Sequence, residues 1–281
     1  SQNKVMINGK TQLLPLFGYP TDAFKAPLIY NPWFEQQGID AVVIPMGTKP
    51  EDFATVLRAT FRTTNIPGAL VTMPHKIAVV ELLDGMSTAV RIAGSCNAVV
   101  KRPDGSLWGD MFDGVGFCRG LKRNGFRCEG ARCLLVGAGG VGAAIAAALA
   151  AEGAAAIVIS DISQTSAQRL AERLMLFYPQ LDARCGTNDA AGYDLAINAT
   201  PLGLPGEPLP IDVTHLSPNT FVGEVVMKAE MTPLLLAAKE RGCRFQIGTD
   251  MLFEMIPAYP DFFGFGTATA EELRRVAKIR Y

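Results

Sequence analysis

The stretch from Cys133 to Asp161 constrains the fold of this 281-residue chain more than any other. An apolar run, Cys133-Leu134-Leu135-Val136, leads into Gly137-Ala138-Gly139-Gly140-Val141-Gly142. An alanine-rich helix former follows and stops at Glu152-Gly153. A second apolar run, Ile157-Val158-Ile159, then ends at Ser160-Asp161. That order predicts a βαβ unit with parallel strands. Gly137 suits the tight turn, Gly139 lets the backbone approach a pyrophosphate, and Gly142 lets the helix sit close on its strand. The helix start offers unpaired N–H groups and a positive dipole end to phosphates. A glycine-rich turn alone is a weak signal. Here a strand precedes it, a helix follows, and an acidic residue closes the next strand, so the stretch reads as a dinucleotide site. Its phosphate-facing residues are Gly137, Ala138, Gly139, Gly140, Val141 and Gly142.

Asp161 stands where a carboxylate accepts bonds from the adenosine ribose hydroxyls. A 2′-phosphate there would meet like charge, and Ile162, Ser163 and Gln164 supply no arginine. The expected cofactor is therefore NAD in preference to NADP. Asp161 also suits a helix N-cap, and the two roles are compatible.

The chain is long enough for two domains. Net charge is −1, which argues against a nucleic acid or an anionic membrane as partner. No apolar run approaches the roughly 18 residues of a membrane span, and no secretory leader is visible. Six cysteines without CxxC spacing and only two histidines point away from a metal and toward a reducing, cytoplasmic setting.

Ahead of the glycine stretch the chain alternates strand and helix signals. Strands are expected at Thr11–Gly18, Ala41–Met46 and Gly68–Thr72, and helices at Pro27–Gly38 and Pro50–Thr63. A hairpin is expected around Arg102-Pro103-Asp104-Gly105. Asp113–Asn124 reads as a linking helix. Beyond Asp161 come a helix over 166–177, strands at Leu195–Asn198, Phe221–Met227 and Phe245–Ile247, and a helix over 232–241. Helical segments near 251–256 and 268–280 close the chain. The fold class is α/β with two domains. A substrate domain takes residues 1–112 plus 249–281, and a Rossmann domain takes 113–248.

Polar residues stand at or beside the carboxyl ends of strands, where open α/β sheets bind ligands. They are Thr72 with Lys76, then Asn97, then Asp113. A lysine beside a carboxylate suits proton transfer to and from a hydroxyl, and an asparagine suits a polyol. On residue type alone each has a bland alternative: a solvated helix lysine, a turn asparagine, a helix-capping aspartate. His75 reads as packing rather than as a base, and Cys96 as small core filler.

Six segments in order carry a resemblance. They are Val71-Thr72-Met73-Pro74-His75-Lys76, Gly94-Ser95-Cys96-Asn97-Ala98, Asp113-Gly114-Val115-Gly116-Phe117, the glycine stretch, Asn198-Ala199-Thr200-Pro201-Leu202-Gly203, and Gly248-Thr249-Asp250-Met251-Leu252. In order and spacing the chain resembles the shikimate/quinate dehydrogenase family from about Leu16 to Glu254. The resemblance implies two α/β domains with a cleft between them and hydride exchange between a ring hydroxyl carbon and a nicotinamide. It makes Lys76 the catalytic lysine, Asp113 its partner, and Thr72 and Asn97 ligands to substrate hydroxyls. Thr200 would run along the cofactor, and Val225 and Gly248 would frame the nicotinamide.

The chain also departs from the family pattern. Members that bind shikimate carry a Ser-x-Ser pair for the substrate carboxylate; here the segment is Phe24-Lys25-Ala26. Met255 replaces a substrate-contacting glutamine, and Met227 a substrate-facing tyrosine. Losing two bonds to a charged group costs about 3–6 kcal/mol of binding, a factor of at least about 100. The expected enzyme is an NAD-dependent alcohol dehydrogenase acting on a cyclic, shikimate- or quinate-like polyol, with weak or no activity on shikimate. The alternative is a family member that binds NAD or a metabolite without turnover, and drift in a redundant copy would also produce these changes. A methylene-tetrahydrofolate dehydrogenase-like reading fits the motifs less well. The partner is a small molecule, and the reading allows a homodimer.

Overall fold

The structure is a computed structural model that describes residues 6–279. Residues 1–5 of the expected substrate domain, Arg280 of the expected last helix, and Tyr281 lie outside the described residues. The chain divides into two compact units. One runs to Phe112 and resumes at Ile256; the other is Asp113–Met255.

The first unit is built on a six-stranded mixed sheet. Its elements are β1 (Gln12–Gly18), α1 (Pro27–Gln37), β2 (Ala41–Gly47), α2 (Pro50–Thr60), β3 (Gly68–Val71), a 3₁₀ turn (Ala78–Leu82) and β4 (Gly85–Met86). Next come α3 (Thr88–Ala93), β5 (Ala98–Lys101) and β6 (Leu107–Asp110). The strand order is β2-β1-β3-β5-β6-β4. β1 pairs in parallel with β2 and β3, whereas β3–β5 and β5–β6 are antiparallel, the latter as the expected hairpin. α1 starts on Pro27, whose missing N–H costs nothing at a helix start, and ends on Gly38 in the left-handed region. From its side, the Asn31 amide brackets Val43 with bonds of 2.8 and 3.0 Å and so occupies part of the edge of β2. Phe17, Tyr30, Trp33, Phe34, Phe53 and Leu57 form an aromatic-rich core. The sequence reading passes over β4 and α3, because a two-residue strand and a six-residue helix are too short for a period to show.

The second unit begins with α4 (Asp113–Arg123). It continues with β7 (Arg132–Val136), α5 (Gly140–Ala151), β8 (Ala156–Ser160), α6 (Gln164–Phe177), β9 (Asp182–Cys185), β10 (Leu195–Asn198) and β11 (Phe221–Glu224). α7 (Pro233–Glu240), β12 (Phe245–Gln246) and α8 (Gly248–Met255) complete it. All strands are parallel, in the order β12-β11-β10-β7-β8-β9. Numbered within the unit, that is the doubly wound dinucleotide order, with β7 at the point where the winding reverses. Leu134, Val136, Ala196, Val222, Leu234 and Leu235 fill one face.

Two boundaries differ from the sequence reading. Residues from 249 were expected in the first unit, but α8 packs on α4 within the second, and the return begins at Ile256. Gly116 is the reason: a Cβ there would run into the backbone of Met251 and Met255, so only glycine lets the two helices lie this close. Strand β11 ends at Glu224 rather than Met227: the Glu224 carboxylate takes the Val226 amide (3.2 Å) and shares that of Val225 (3.0 Å), which also reaches the Asn198 carbonyl (3.2 Å). After the return, α9 (Ala258–Phe262) and α10 (Ala270–Val276) cover α1 in the first unit.

Candidate active site

In the first unit, Thr72, Lys76 and Asn97 are drawn together by the backbone. The Thr72 amide donates to the Phe17 carbonyl at 2.8 Å, and the Val71 amide to the Asn97 carbonyl at 2.9 Å. The Lys76 carbonyl accepts from the amide of Cys96, the residue before Asn97, at 2.8 Å. Asn97 is 4% exposed, and its Oδ1 accepts the Phe112 amide at 3.0 Å. Lys76 is 8% exposed. Phe24 belongs to the same cluster: its ring tip and the Thr72 methyl both close on Gly18, so that a Cβ on Gly18 would meet each at 2.5 Å. An apolar ring therefore lies where the resemblance expects anion-holding hydroxyls.

His75, beside Lys76, is a packing residue. Its ring stacks on Phe53 with centroids 4.0 Å apart, and its Nε2 donates to the Thr48 carbonyl at 2.6 Å. Burial holds its pKa below the ordinary value. A carbonyl only accepts, so the neutral ring carries its proton on Nε2.

In the second unit the glycine stretch forms a cradle. Gly137 has φ +113°, a region closed to most side chains. A Cβ on Gly142 would run into the Gly137 carbonyl, so the start of α5 presses on the turn. Gly139 faces open space, with no heavy atom within 4 Å of where a Cβ would stand. Asp161 ties the turn to the next strand: its Oδ1 accepts the Ala138 amide and its Oδ2 the Ser163 amide, both at 2.9 Å. The α6 cap is Ser163, not Asp161. A cleft of about 680 Å³ opens here, lined by Gly137, Gly139, Asp161, Thr200 and the apolar Ile162, Leu202 and Leu209. Two carboxylates line it, Asp161 and Glu207, and no lysine or arginine does among the described residues. The Glu207 Oε2 accepts the Gly203 and Leu204 amides at 3.1 and 3.3 Å. An open turn, the start of α5 and a carboxylate at the end of β8 make a set of donors and acceptors that fits a dinucleotide.

Asp113, 4% exposed, opens α4 in the second unit, whereas Lys76 belongs to the first. Val225 follows β11 directly, and Met227 lies half-buried after it. Gly248 opens α8 against the Val226 carbonyl, and Met255 ends that helix against Gly116. Sequence reasoning missed Glu207 and the pair Asn198–Glu224. A glutamate inside an apolar strand run was the visible signal for Glu224.

Residues 16–99 match the family model described as shikimate dehydrogenase substrate binding domain, and residues 126–202 one described as putative NAD(P)-binding. A shikimate dehydrogenase (NADP(+)) of Acidiphilium cryptum is 32% identical, over 96% of this chain and 97% of that one. A 5-ketofructose reductase of Gluconobacter sp. strain CHM43 superposes with a TM-score of 0.87 at 26% identity, covering 96% of this chain and 98% of that one. A quinate dehydrogenase of Corynebacterium glutamicum in complex with NAD gives 0.85 at 29%, covering 95% and 98%. The glycine cradle, the cluster around Lys76 and these likenesses along nearly the whole length agree: the chain belongs to the shikimate/quinate dehydrogenase family.

Proposed function

We propose that the chain is an NAD-preferring oxidoreductase that interconverts an alcohol and a ketone on a cyclic polyol, with weak or no activity on shikimate. The observation that carries the substrate half is Phe24 packed beside Thr72 at Gly18. An aromatic edge offers no bond to a carboxylate, so a less acidic relative of shikimate or quinate suits the pocket better. The names of the relatives support a CH–OH substrate and also variety in it: shikimate, quinate and a keto sugar.

When bound, the nicotinamide supplies the hydride acceptor or donor. Lys76 takes the hydroxyl proton during oxidation and returns it during reduction, and Asp113 orients the lysine and bonds the hydroxyl. Thr72 and Asn97 hold neighbouring hydroxyls. Phe24, Met227 and Met255 make the rest of the pocket apolar. Gly137–Gly142 hold the pyrophosphate, with Thr200, Val225 and Gly248 toward the nicotinamide. Asp161 accepts the ribose hydroxyls, and the carboxylates of the cleft disfavour a 2′-phosphate. The relatives named for NADP(+) make this preference a point to measure.

The test is a dehydrogenase screen with NAD and NADP over shikimate, quinate and polyols lacking the carboxylate. The reading expects its highest turnover with NAD and a polyol other than shikimate. Best activity with NADP and shikimate would sink it. Calorimetric binding of NAD with no turnover across the panel would favour the non-catalytic alternative.

A further inference from the structure

Asn198 and Glu224 end the adjacent parallel strands β10 and β11 in register, 0% and 1% exposed. The bonds described at the Glu224 carboxylate all come from donors. Its Oε1 takes the Asn198 Nδ2 at 2.8 Å and the amides of Val225 and Val226; its Oε2 takes the Thr232 hydroxyl at 2.8 Å. An ionised carboxylate is acceptor-only, with room for about four such donors. Burial nevertheless pushes the Glu224 pKa up. An acidic group is thus held in the interior at a cost, bonded by neutral donors.

The network reaches two ligand-facing segments. Through Asn198, whose Oδ1 accepts the Thr200 amide (3.0 Å) and hydroxyl (2.6 Å), it fixes the turn after β10. Directly, it fixes the Val225–Val226 backbone, whose carbonyl at Val226 presses on Gly248. Thr200, Val225 and Gly248 are therefore all linked to one interior side chain, which adds to the Val225 amide's bond to the Asn198 carbonyl (3.2 Å) and the Asn198 Nδ2 bond to the Leu202 carbonyl (3.3 Å). The cradle at Gly137–Gly142 and Asp161 is built from other bonds.

We propose that Glu224 is a positioning residue for the nicotinamide end of the dinucleotide, leaving the adenosine end to the glycine cradle and Asp161. This rests on the dinucleotide reading above. Glu224→Gln keeps the shape but removes the charge and replaces one acceptor oxygen with an NH2 group. The test compares calorimetric binding of NADH with that of ADP-ribose, which lacks the nicotinamide, together with kcat and KM on the best substrate. NADH binding should weaken about tenfold or more, the factor carried by one lost bond to a charged group. ADP-ribose binding should stay within about twofold. kcat should fall along with the rise in KM for NAD, while KM for the polyol holds. A parallel loss of both ligands, or no loss of NADH, overturns the proposal. If Glu224→Gln gives no cooperative melt, Thr232→Val, which removes one donor to the carboxylate together with the α7 cap bond to the Leu235 amide, should show the same selectivity at about threefold; its absence overturns the proposal equally. A wild-type protein that binds neither ligand overturns the dinucleotide reading and this one with it. Wild-type binding with an indifferent variant overturns this one alone.

Discussion

The two units build their candidate ligand sites in different ways. In the second, the cradle comes from one stretch, Gly137 to Asp161, and works through backbone: an open turn, a helix start, and a carboxylate that pins an amide. In the first, the proposed site draws Phe24, the Thr72–Lys76 segment and Asn97 from three parts of the chain and would act through side chains. Their meeting depends on strand pairing, with Leu16 beside Leu70 and Leu70 beside Ala98. A backbone site tolerates changes of side chain as long as its glycines survive. A side-chain site can change substrate with single replacements while the fold stays intact. The departure from the family pattern at Phe24, packed beside Thr72, falls in the proposed site of the second kind.

Breaking the first site alone should give the largest effect. Lys76→Ala should lower turnover by about 10²–10⁴, the range of a lost acid–base group, with NAD affinity unchanged by calorimetry. Activity within a few fold of wild type would remove the lysine from the mechanism. Breaking the second alone is the counterpart. Gly142→Val drives a side chain into the Gly137 carbonyl, and the overpacking cost of about 1–3 kcal/mol should weaken NAD by roughly tenfold to a hundredfold. An unchanged affinity would mean that the turn yields at no cost.

Sharper versions of the comparison follow with smaller effects. Phe24→Ser with Ala26→Ser should raise kcat/KM on shikimate at least about tenfold by restoring bonds to its carboxylate. No gain would place the specificity elsewhere. Asp161→Ala should narrow the ratio of NAD to NADP activity several-fold, on the order of 1 kcal/mol for one charge near the surface. An unchanged ratio would shift attention to Glu207. The smallest effect is on stability in acid. The fold holds His75 neutral and its pKa depressed, so the unfolded chain binds the proton first as pH falls below about 6.5. Stability contributed by this ring is present above that pH and lost below it. His75→Gln should flatten the fall in Tm between pH 7 and 5, and an equally steep fall would assign the loss to other groups.

Most of this architecture was legible because it rests on local rules. The glycine stretch, Pro27 and Gly38 around α1, and the turn at 102–105 each carry their conformation in two to six residues. What escaped depends on partners distant in sequence. Glu224 stands out by type inside the apolar run Phe221–Met227, but the run does not show that its carboxylate takes the next two amides. Residues far upstream, Gly116 by its bare backbone and Arg123 by its ion pair with Glu254, explain why α8 stays with α4. The same holds for the candidate site. Lys76 and Asn97 stood out by residue type and motif, whereas the backbone bonds that gather them with Thr72 become visible only once β3 and β5 are paired.

The interruption of the first unit between Phe112 and Ile256 has a consequence for synthesis. The aromatic face of α1 is finished by residues made long after it. The Tyr30 hydroxyl bonds the Ile256 carbonyl at 3.4 Å, Phe34 meets Phe265 at 5.4 Å, and the Lys278 amide reaches the Leu28 carbonyl at 3.0 Å. A ribosome releasing this chain completes the whole parallel sheet of the second unit before it supplies that cover. The nascent chain therefore carries a greasy, unfinished amino-terminal half past a neighbour already able to fold, and chaperone demand should concentrate on the part translated first.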